Sequence, residues 1–254
     1  MGDPEETPEL QPTLEAFIPI LSSAFEALVG HWLETSSTTA VDSVHEGTFT
    51  FVLYALRCVR ELLGANRLRI SGRMLLRTLT ECRITLAYLQ IKNDQKLWER
   101  FRHYGAGQAK LALLKISEAK RPPHSVSVEL LERLANEDMW QEFVDIDLGH
   151  WAGEDLRKMA EVSGTKHVYD AHYGWTSGFV HGQWSAMRDA ALTICLNPLH
   201  RVHRVPLLYT RQHGDTFADA VDLVESMIQG LLQKYPGPQI TLRPKEDLES
   251  APAL

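Results

Sequence analysis

Apolar residues recur every three or four positions along most of the chain, a spacing that places them on one face of an α-helix. Proline is absent from residues 20–121 and 124–197, so both stretches can hold long uninterrupted helices. The pattern predicts helices that begin near Phe17, Phe51, Ser71, Asp94, Val128, Gly153, His167 and Gln183, and a last one from Thr216 to Lys234. We therefore predict an all-α fold, a multi-helix bundle.

The predicted helix ends depend on local signals in the sequence, and the second helix is expected to end near Gly64. Ser71 is expected to cap a third helix that runs to about Ile91, and Asp94 is expected to cap the fourth. Thr216 and Asp219 have the spacing of a capping box, which predicts the start of the last helix between them.

The chain is predicted to form one helical domain, residues 13–234, between two segments without a periodic apolar pattern. Residues 1–12 combine prolines with acidic residues and residues 235–254 hold four prolines, which predicts a disordered leader and a flexible tail. The eighth helix is expected to continue to the residue before Pro198. The alternating stretch 201–209 then predicts a short extended segment.

The charged residues are unevenly distributed along the chain. The 254 residues include 26 basic and 33 acidic side chains, a formal charge of −7 that argues against promiscuous binding of polyanions. Residues 57–121 hold fifteen basic and five acidic side chains, whereas residues 126–170 hold four and eleven. One interpretation is that the acidic fifth and sixth helices neutralise this basic block; the other is a groove for RNA or another anion.

Cysteine usage and the N-terminus indicate a cytoplasmic protein. Cys58, Cys82 and Cys195 are far apart and lie in apolar stretches, which is typical of buried thiols and not of disulfides or zinc-ligand pairs. The N-terminus lacks the basic and apolar regions of a secretory signal, and no apolar run is expected to span a membrane. No cofactor is predicted.

Two polar stripes with helical spacing are the main candidates for a functional site. The third helix carries Arg73, Arg77 and Glu81 four residues apart, so the three side chains lie along one side. The seventh helix repeats this spacing with a second set, Tyr173, Ser177 and His181, beside a row of glycines, Gly174, Gly178 and Gly182. Glycine disfavours helix by about 1 kcal/mol per site, so close approach of a helix or ligand is expected there.

A buried arginine or histidine needs polar partners, which predicts that the two stripes face each other in an Arg-Glu-His-Tyr network. His181 would act as general acid/base or donor to an anion, Arg73 and Arg77 would neutralise charge, and Glu81 would orient a partner. The fourth helix would add the binding residues Arg100, His103 and Tyr104. The alternative is that the same network only specifies how the bundle packs.

No metal site is predicted from the sequence. A set of Glu81, His103 and His181 lacks the paired spacing that metal-binding helices show. The histidines of the 200–213 region, His200, His203 and His213, lie in a basic stretch and are expected to be solvated.

Three sequence blocks, SGRMLLRTLTECRITLAYL, WERFRHYG and YDAHYGWTSGFVHG, together resemble a bacterial family known as domain of unknown function 5677. The resemblance covers about residues 45–200. The matching positions are Arg73, Arg77, Glu81, Tyr88, Leu89, Phe101, Tyr104, Tyr173, Ser177, Val180 and His181.

The helical pattern is also similar to the HEPN superfamily, whose active members cut RNA with an Arg-x4–6-His motif on a late helix. His181 would be the histidine, but Gly174, Trp175 and Thr176 stand where the arginine would be, unless Arg73 or Arg77 replaces it from another helix. The resemblance implies a stress-response or phage-defence effector, a possible ribonuclease, that forms a homodimer.

Two other functions remain open at this point. One is a non-catalytic module that binds a protein partner, with the polar network as part of its core. The other is a small-molecule pocket lined by Trp175, Trp184, Tyr173 and His181.

Overall fold

The computed structural model describes residues 11–65, 67–118, 123–141, 150–201, 203–209 and 211–243. Its helices are α1 (Gln11–Thr35), α2 (Ser43–Gly64), α3 (Ile70–Lys92), α4 (Gln95–Ser117), α5 (Val128–Gln141), α6 (Leu156–Val162), α7 (Lys166–Val168), α8 (Gly174–Val180), α9 (Trp184–Ala191) and α10 (Phe217–Lys234). A π-helical turn, Tyr169–Tyr173, joins α7 to α8, and the strands β1 (Leu192–Ile194) and β2 (Arg204–Pro206) form a small hairpin. The all-α, multi-helix prediction is confirmed.

Helix α3 lies at the centre of the bundle. It packs against α2, α6, α8 and α10 and against the π-turn, and α10 also packs on α2. Fully buried side chains from these helices form one hydrophobic core, among them Phe49, Val59, Leu79, Leu86, Val224 and Leu231. Because α3 is enclosed on several sides, polar residues along it are brought into low-dielectric surroundings.

Two of the predicted helix signals hold in the structure. Helix α2 ends at Gly64, and the Asp94 carboxylate accepts the Lys96 N–H at 2.9 Å at the start of α4. Two predicted capping side chains are wrong, although α10 begins directly after Thr216 and ends at Lys234 as predicted. Helix α3 begins at Ile70, before Ser71. At α10 the Asp215 carboxylate accepts the Phe217 N–H at 2.9 Å.

Thr216 does not cap α10 with its side chain, because its hydroxyl donates to the Arg67 carbonyl at 3.1 Å instead. The carboxylate one residue earlier, Asp215, takes over the capping role and also pairs with the Arg67 guanidinium at 2.8 Å. The start of α10 is therefore tied to the segment that precedes α3.

The predicted seventh helix contains a π-turn that the apolar pattern does not reveal. The helix ends at Val180, so Gly182 follows it and has a left-handed backbone (φ 58°). A Cβ on Gly174 would meet no atom within 4 Å, whereas one on Gly178 would lie 3.4 Å from the Ser185 hydroxyl. The expected close approach along the whole glycine row is thus seen at Gly178 alone of the three.

The eighth helix is shorter than predicted, because the chain leaves it at Ala191 and enters β1. Strand β1 pairs antiparallel with β2, with Thr193 opposite Val205. The extended segment expected at 201–209 is therefore present at Arg204–Pro206. Its partner strand, β1, lies where the sequence predicts a helix.

The ends of the domain differ from the predicted boundaries. Residues 1–10 of the expected leader and residues 244–254 of the expected tail lie outside the described residues. Residues 235–243 pack on the domain, since Leu242 is fully buried and the Arg243 guanidinium pairs with Glu225 at 3.1 Å.

Helix α1 contains a stretch, Ala16–Thr35, that is long and apolar enough to cross a membrane. The expectation that no segment of this kind exists was wrong. In the structure the same stretch buries Leu21, Ala24 and Leu28 against the core.

Candidate functional site

Arg77 joins α3 to the π-turn. Its side chain is 5 % exposed, and its guanidinium lies over the Tyr173 ring, 3.8 Å from the centroid. Nη2 donates to Glu81 Oε1 at 2.7 Å, and the Glu81 side chain is half exposed. The structure thus brings together Arg77, Glu81 and Tyr173, with a half-exposed carboxylate and a half-buried ring on either side of the guanidinium.

The π-turn sets the position of Tyr173. A π-turn is wider than an α-turn, and such turns recur at functional sites. Here the Tyr169 and Tyr173 rings stack with centroids 4.5 Å apart and planes 14° apart. This stack holds one aromatic face against the Arg77 guanidinium, where a cation–π contact of a desolvated pair contributes about 2 kcal/mol.

Arg73, one turn earlier on α3, is 7 % exposed and has few partners. Nη2 donates to the Gly214 carbonyl at 3.5 Å, a long hydrogen bond, and the guanidinium lies 5.7 Å from the centroid of the Phe179 ring. Among the residues that the structure describes, the buried Nε and Nη1 have no hydrogen-bond partner. Burial lowers the pKa of Arg73, and the Asp189 charge opposes this shift.

Three arginines around Arg73 differ from it in that each pairs with a carboxylate. Arg67 pairs with Asp215 at 2.8 Å, Arg211 with Asp189 at 3.1 Å and Arg77 with Glu81 at 2.7 Å. Within the part of the chain that the structure describes, no carboxylate oxygen lies within 4.0 Å of the Arg73 guanidinium. Arg73 is therefore a buried cation whose Nε and Nη1 are still available as hydrogen-bond donors.

His213 belongs to this region, contrary to the expectation that it is solvated. Its side chain is 10 % exposed, and Nε2 lies 3.2 Å from Asp189 Oδ2. Burial lowers the pKa of His213, the Arg73 charge lowers it further, and Asp189 partly opposes both. The ring also packs edge-on against Phe179. The imidazole is consequently favoured in its neutral form beside Arg73.

A cavity of about 170 Å³ opens beside Arg73. Its lining includes the π-turn and α8 on one side and the start of α10 on the other, with His172, Trp175, Thr176, Gly214 and Asp219. Since a water molecule occupies about 30 Å³, the cavity has room for a group the size of a small oxyanion. Trp175 is half exposed at this position.

His181 lies at the end of α8 and is exposed. Its backbone N–H donates to the carbonyl of Ser177 at 3.1 Å, and Ser177 is itself buried. Among the described residues, the His181 side chain has no hydrogen bond, ion pair or ring contact with Arg73, Arg77 or Glu81. The structure therefore does not bring His181 into the arginine network. Trp184 is likewise exposed and separate.

The predicted residues of α4 lie elsewhere. Arg100 is exposed, His103 is half-buried, and the Tyr104 ring lies 6.1 Å from the ring of His150. Tyr104 lines a second, apolar cavity of about 520 Å³ between α2, α4 and Trp151. The aromatic residues Phe51, Tyr54, Trp98, Phe101 and Trp151 form much of its wall.

Two features of the apolar cavity are not evident from the sequence. Trp98 Nε1 is buried and has no hydrogen-bond partner in the described part of the chain. A Cβ on Gly47 would lie 2.6 Å from the Trp98 ring, so only glycine fits on α2 at this crossing. Burial raises the pKa of both Tyr54 and Cys82 to about 12, which keeps these cavity residues neutral.

The fold and site define a helical bundle with a buried pair of arginines on its central helix and a small cavity beside one of them. The chain belongs to a family of unknown function (DUF5677), whose profile matches residues 47–193. The match begins within α2 and ends in β1, so it includes Arg73, Arg77 and Tyr173 and excludes α10. No curated protein and no solved structure matches the chain.

Proposed function

We propose that the protein binds the phosphate group of RNA or of a nucleotide through Arg73. The observation that supports this is the pair of unpartnered buried donors on Arg73, Nε and Nη1, next to a cavity of about 170 Å³. A buried donor without an acceptor costs about 1–3 kcal/mol, so proteins retain few of them. A phosphate oxygen that accepts a charge-assisted hydrogen bond from the guanidinium offsets part of this cost.

The surroundings of the cavity favour a nucleotide-type ligand. Trp175 lines the cavity and is half exposed, and an indole in that position can stack with a base, a contact of about 1–3 kcal/mol. Of the two carboxylates that line the cavity, Asp215 is already paired with Arg67. Asp219 remains as a negative group that disfavours indiscriminate polyanion binding.

Arg77 and Tyr173 would act as positioning residues in this proposal. The cation–π contact between them fixes the π-turn against α3, and the turn leads directly into α8, which carries Trp175 and Thr176. Neither residue lines the cavity. Binding, without cleavage, is proposed, because the exposed His181 is not in contact with the arginines.

The test compares Arg73→Gln with wild type and with Arg157→Gln, a matched loss of one arginine charge. Arg157 is 65 % exposed on α6 and pairs only with a surface carboxylate, Glu161. Binding of a fluorescein-labelled single-stranded RNA is measured by anisotropy, and binding of mononucleotides by calorimetry. We expect Arg73→Gln to weaken binding at least about tenfold, the effect of losing one charge-assisted pair, and Arg157→Gln to leave it within about twofold.

Each arm of this test has a distinct meaning. Binding of RNA but not of mononucleotides identifies a polynucleotide site, and the converse identifies a nucleotide pocket. The proposal is abandoned if wild type binds neither, or if Arg73→Gln binds as well as wild type. RNA degradation that His181→Ala abolishes at unchanged melting temperature would instead establish a HEPN-like ribonuclease.

The apolar cavity supports a second candidate function, binding of a small hydrophobic molecule. Its volume of about 520 Å³ lies within the range of ligand pockets, and the free Trp98 Nε1 offers one donor. Gly105 lines it, and a Cβ there would meet no atom within 4 Å, so Gly105→Leu narrows the cavity without a clash. Weaker binding of 8-anilinonaphthalene-1-sulfonate by this variant is expected; unchanged fluorescence would place the dye elsewhere.

A further inference from the structure

The β1–β2 hairpin brings three metal-ligating side chains together in its loop. Cys195 follows β1, and His203 precedes β2; the Cys195 N–H donates to the His203 carbonyl at 3.0 Å, so the two residues face each other across the hairpin. Between them, a turn at Asn197–His200 closes with the His200 N–H on the Asn197 carbonyl at 2.9 Å. This turn folds His200 back toward the other two residues.

Two of the three distances between the ligand atoms are close to those of a tetrahedral metal site. Nδ1 of His200 lies 3.2 Å from Nδ1 of His203 and 3.6 Å from Sγ of Cys195, and all three atoms are within 4.8 Å of one another. A tetrahedral ion with metal–nitrogen distances of about 2.05 Å and a metal–sulfur distance of about 2.3 Å places two nitrogens about 3.4 Å apart, and nitrogen and sulfur about 3.6 Å apart. The two observed separations therefore leave room for an ion between the three atoms.

We propose that Cys195, His200 and His203 bind one zinc ion, with the fourth position open to water or another ligand. One thiolate and two imidazoles form a borderline-soft donor set, which suits Zn²⁺ and does not suit Mg²⁺ or Ca²⁺. The site lies outside residues 47–193, the part of the chain that matches the family, and it is independent of the arginine site.

The chemistry of the loop is consistent with reversible binding. His200 and His203 are exposed and Cys195 is half-buried, so an ion has direct access to all three. The cation replaces the thiol proton on Cys195, so binding releases one proton and strengthens as the pH rises. Arg201 and Arg204 in the same hairpin oppose a dication and favour an anion in the fourth position.

The test uses the full chain without a histidine tag, stripped of metal with a chelator. Zn²⁺ is titrated in competition with a chromogenic chelator, and Co²⁺ is used to detect thiolate coordination through its charge-transfer absorption. We expect one equivalent of zinc and a loss of more than about a hundredfold in affinity in Cys195→Ser and in His203→Ala, since loss of outer-shell groups alone costs about 10–100-fold. His181→Ala, which removes an exposed histidine elsewhere, should bind as wild type does.

A second measurement works on wild-type protein and does not depend on how the variants fold. Zinc should slow alkylation of Cys195 by iodoacetamide, read by peptide mass spectrometry, and leave the rates of Cys58 and Cys82 unchanged. The proposal is overturned by wild type without zinc affinity, by a Co²⁺ complex without thiolate absorption, or by alkylation of Cys195 at the same rate with and without zinc.

Discussion

Replacement of Arg77 by methionine separates a structural from a functional role for the arginine network. Methionine keeps most of the buried volume of the side chain and removes the charge, the Glu81 ion pair and the cation–π contact with Tyr173. The ion pair reaches a half-exposed carboxylate and contributes less than about 1 kcal/mol, and the cation–π contact contributes about 2 kcal/mol.

The same replacement also removes the free-energy cost of burying unpaired hydrogen-bond donors. Nε and Nη1 of Arg77 are buried and have no hydrogen-bond partner within the described residues, and each such donor costs about 1–3 kcal/mol. The losses and gains are of similar size, so we expect Arg77→Met to change the free energy of unfolding by less than about 2 kcal/mol, and in the direction of higher stability. Buried ion pairs replaced by apolar residues behave in this way in other proteins.

The assay is urea denaturation followed by circular dichroism, for wild type, Arg77→Met, Tyr173→Leu and the double variant. The double-variant cycle isolates the contact between the two residues, and we expect a coupling of about 1–2 kcal/mol. RNA and nucleotide binding is measured on the same samples, and we expect Arg77→Met to bind at least about fivefold more weakly through the displaced π-turn.

A loss of stability greater than about 2 kcal/mol in Arg77→Met would refute this reasoning. It would mean that the network is retained because it stabilises the bundle, which is the alternative left open by the sequence. Stability near that of wild type together with weaker binding would mean that Arg77 is retained for the ligand site.

Two further predictions concern stability. Gly47→Ala should lower the free energy of unfolding by about 1–3 kcal/mol in calorimetry, because its Cβ would lie 2.6 Å from the fully buried Trp98 ring; Gly105→Ala, where there is open space, is the control. Burial lowers the pKa of His45 and of His213 below the value of about 6.5 that histidine has in the unfolded chain. As the pH falls below about 6.5, the unfolded chain therefore binds more protons than the folded protein does. The stability from these two groups is present above that pH and declines as the pH falls toward their folded pKa values. We expect a smaller decline between pH 7 and 5 in His45→Gln and His213→Gln, and equal slopes in all three proteins would contradict the assignment.

Local signals predicted most of the helices and failed for the cap of α10, which a distant residue decides. The Asp94 cap and the end of α2 at Gly64 involve residues within one turn of each other, so sequence is sufficient for them. At α10 the sequence predicted Thr216 as the cap, whereas in the structure the Asp215 carboxylate caps the helix. Asp215 caps the helix because Arg67, 148 residues away in the chain, pairs with its carboxylate, and because the Arg67 carbonyl accepts a hydrogen bond from the Thr216 hydroxyl.

The candidate site likewise combines features that the local sequence predicts with features that only the folded structure shows. The spacing of Arg73, Arg77 and Glu81 placed them along one side of α3, and the 2.7 Å ion pair from Arg77 to Glu81 follows from that spacing alone. The spacing of Tyr173 and His181 suggested a common face, but the structure places Tyr173 on Arg77 and leaves His181 exposed past the end of α8. The π-turn alters the register of the helix, and the local amino-acid composition does not predict it.

The sequence by itself determined the helical class of this protein, the family to which it belongs and the basic stripe on its central helix. Those properties depend on residues three or four positions apart, whose relation is set by helix geometry. The tertiary structure decided that Arg73 has no carboxylate partner among the described residues, and that Cys195, which follows a strand where a helix was expected, lies next to His200 and His203. Partners of buried charges and ligands of a metal come from segments that meet only when the chain folds, so their identity depends on packing and strand pairing.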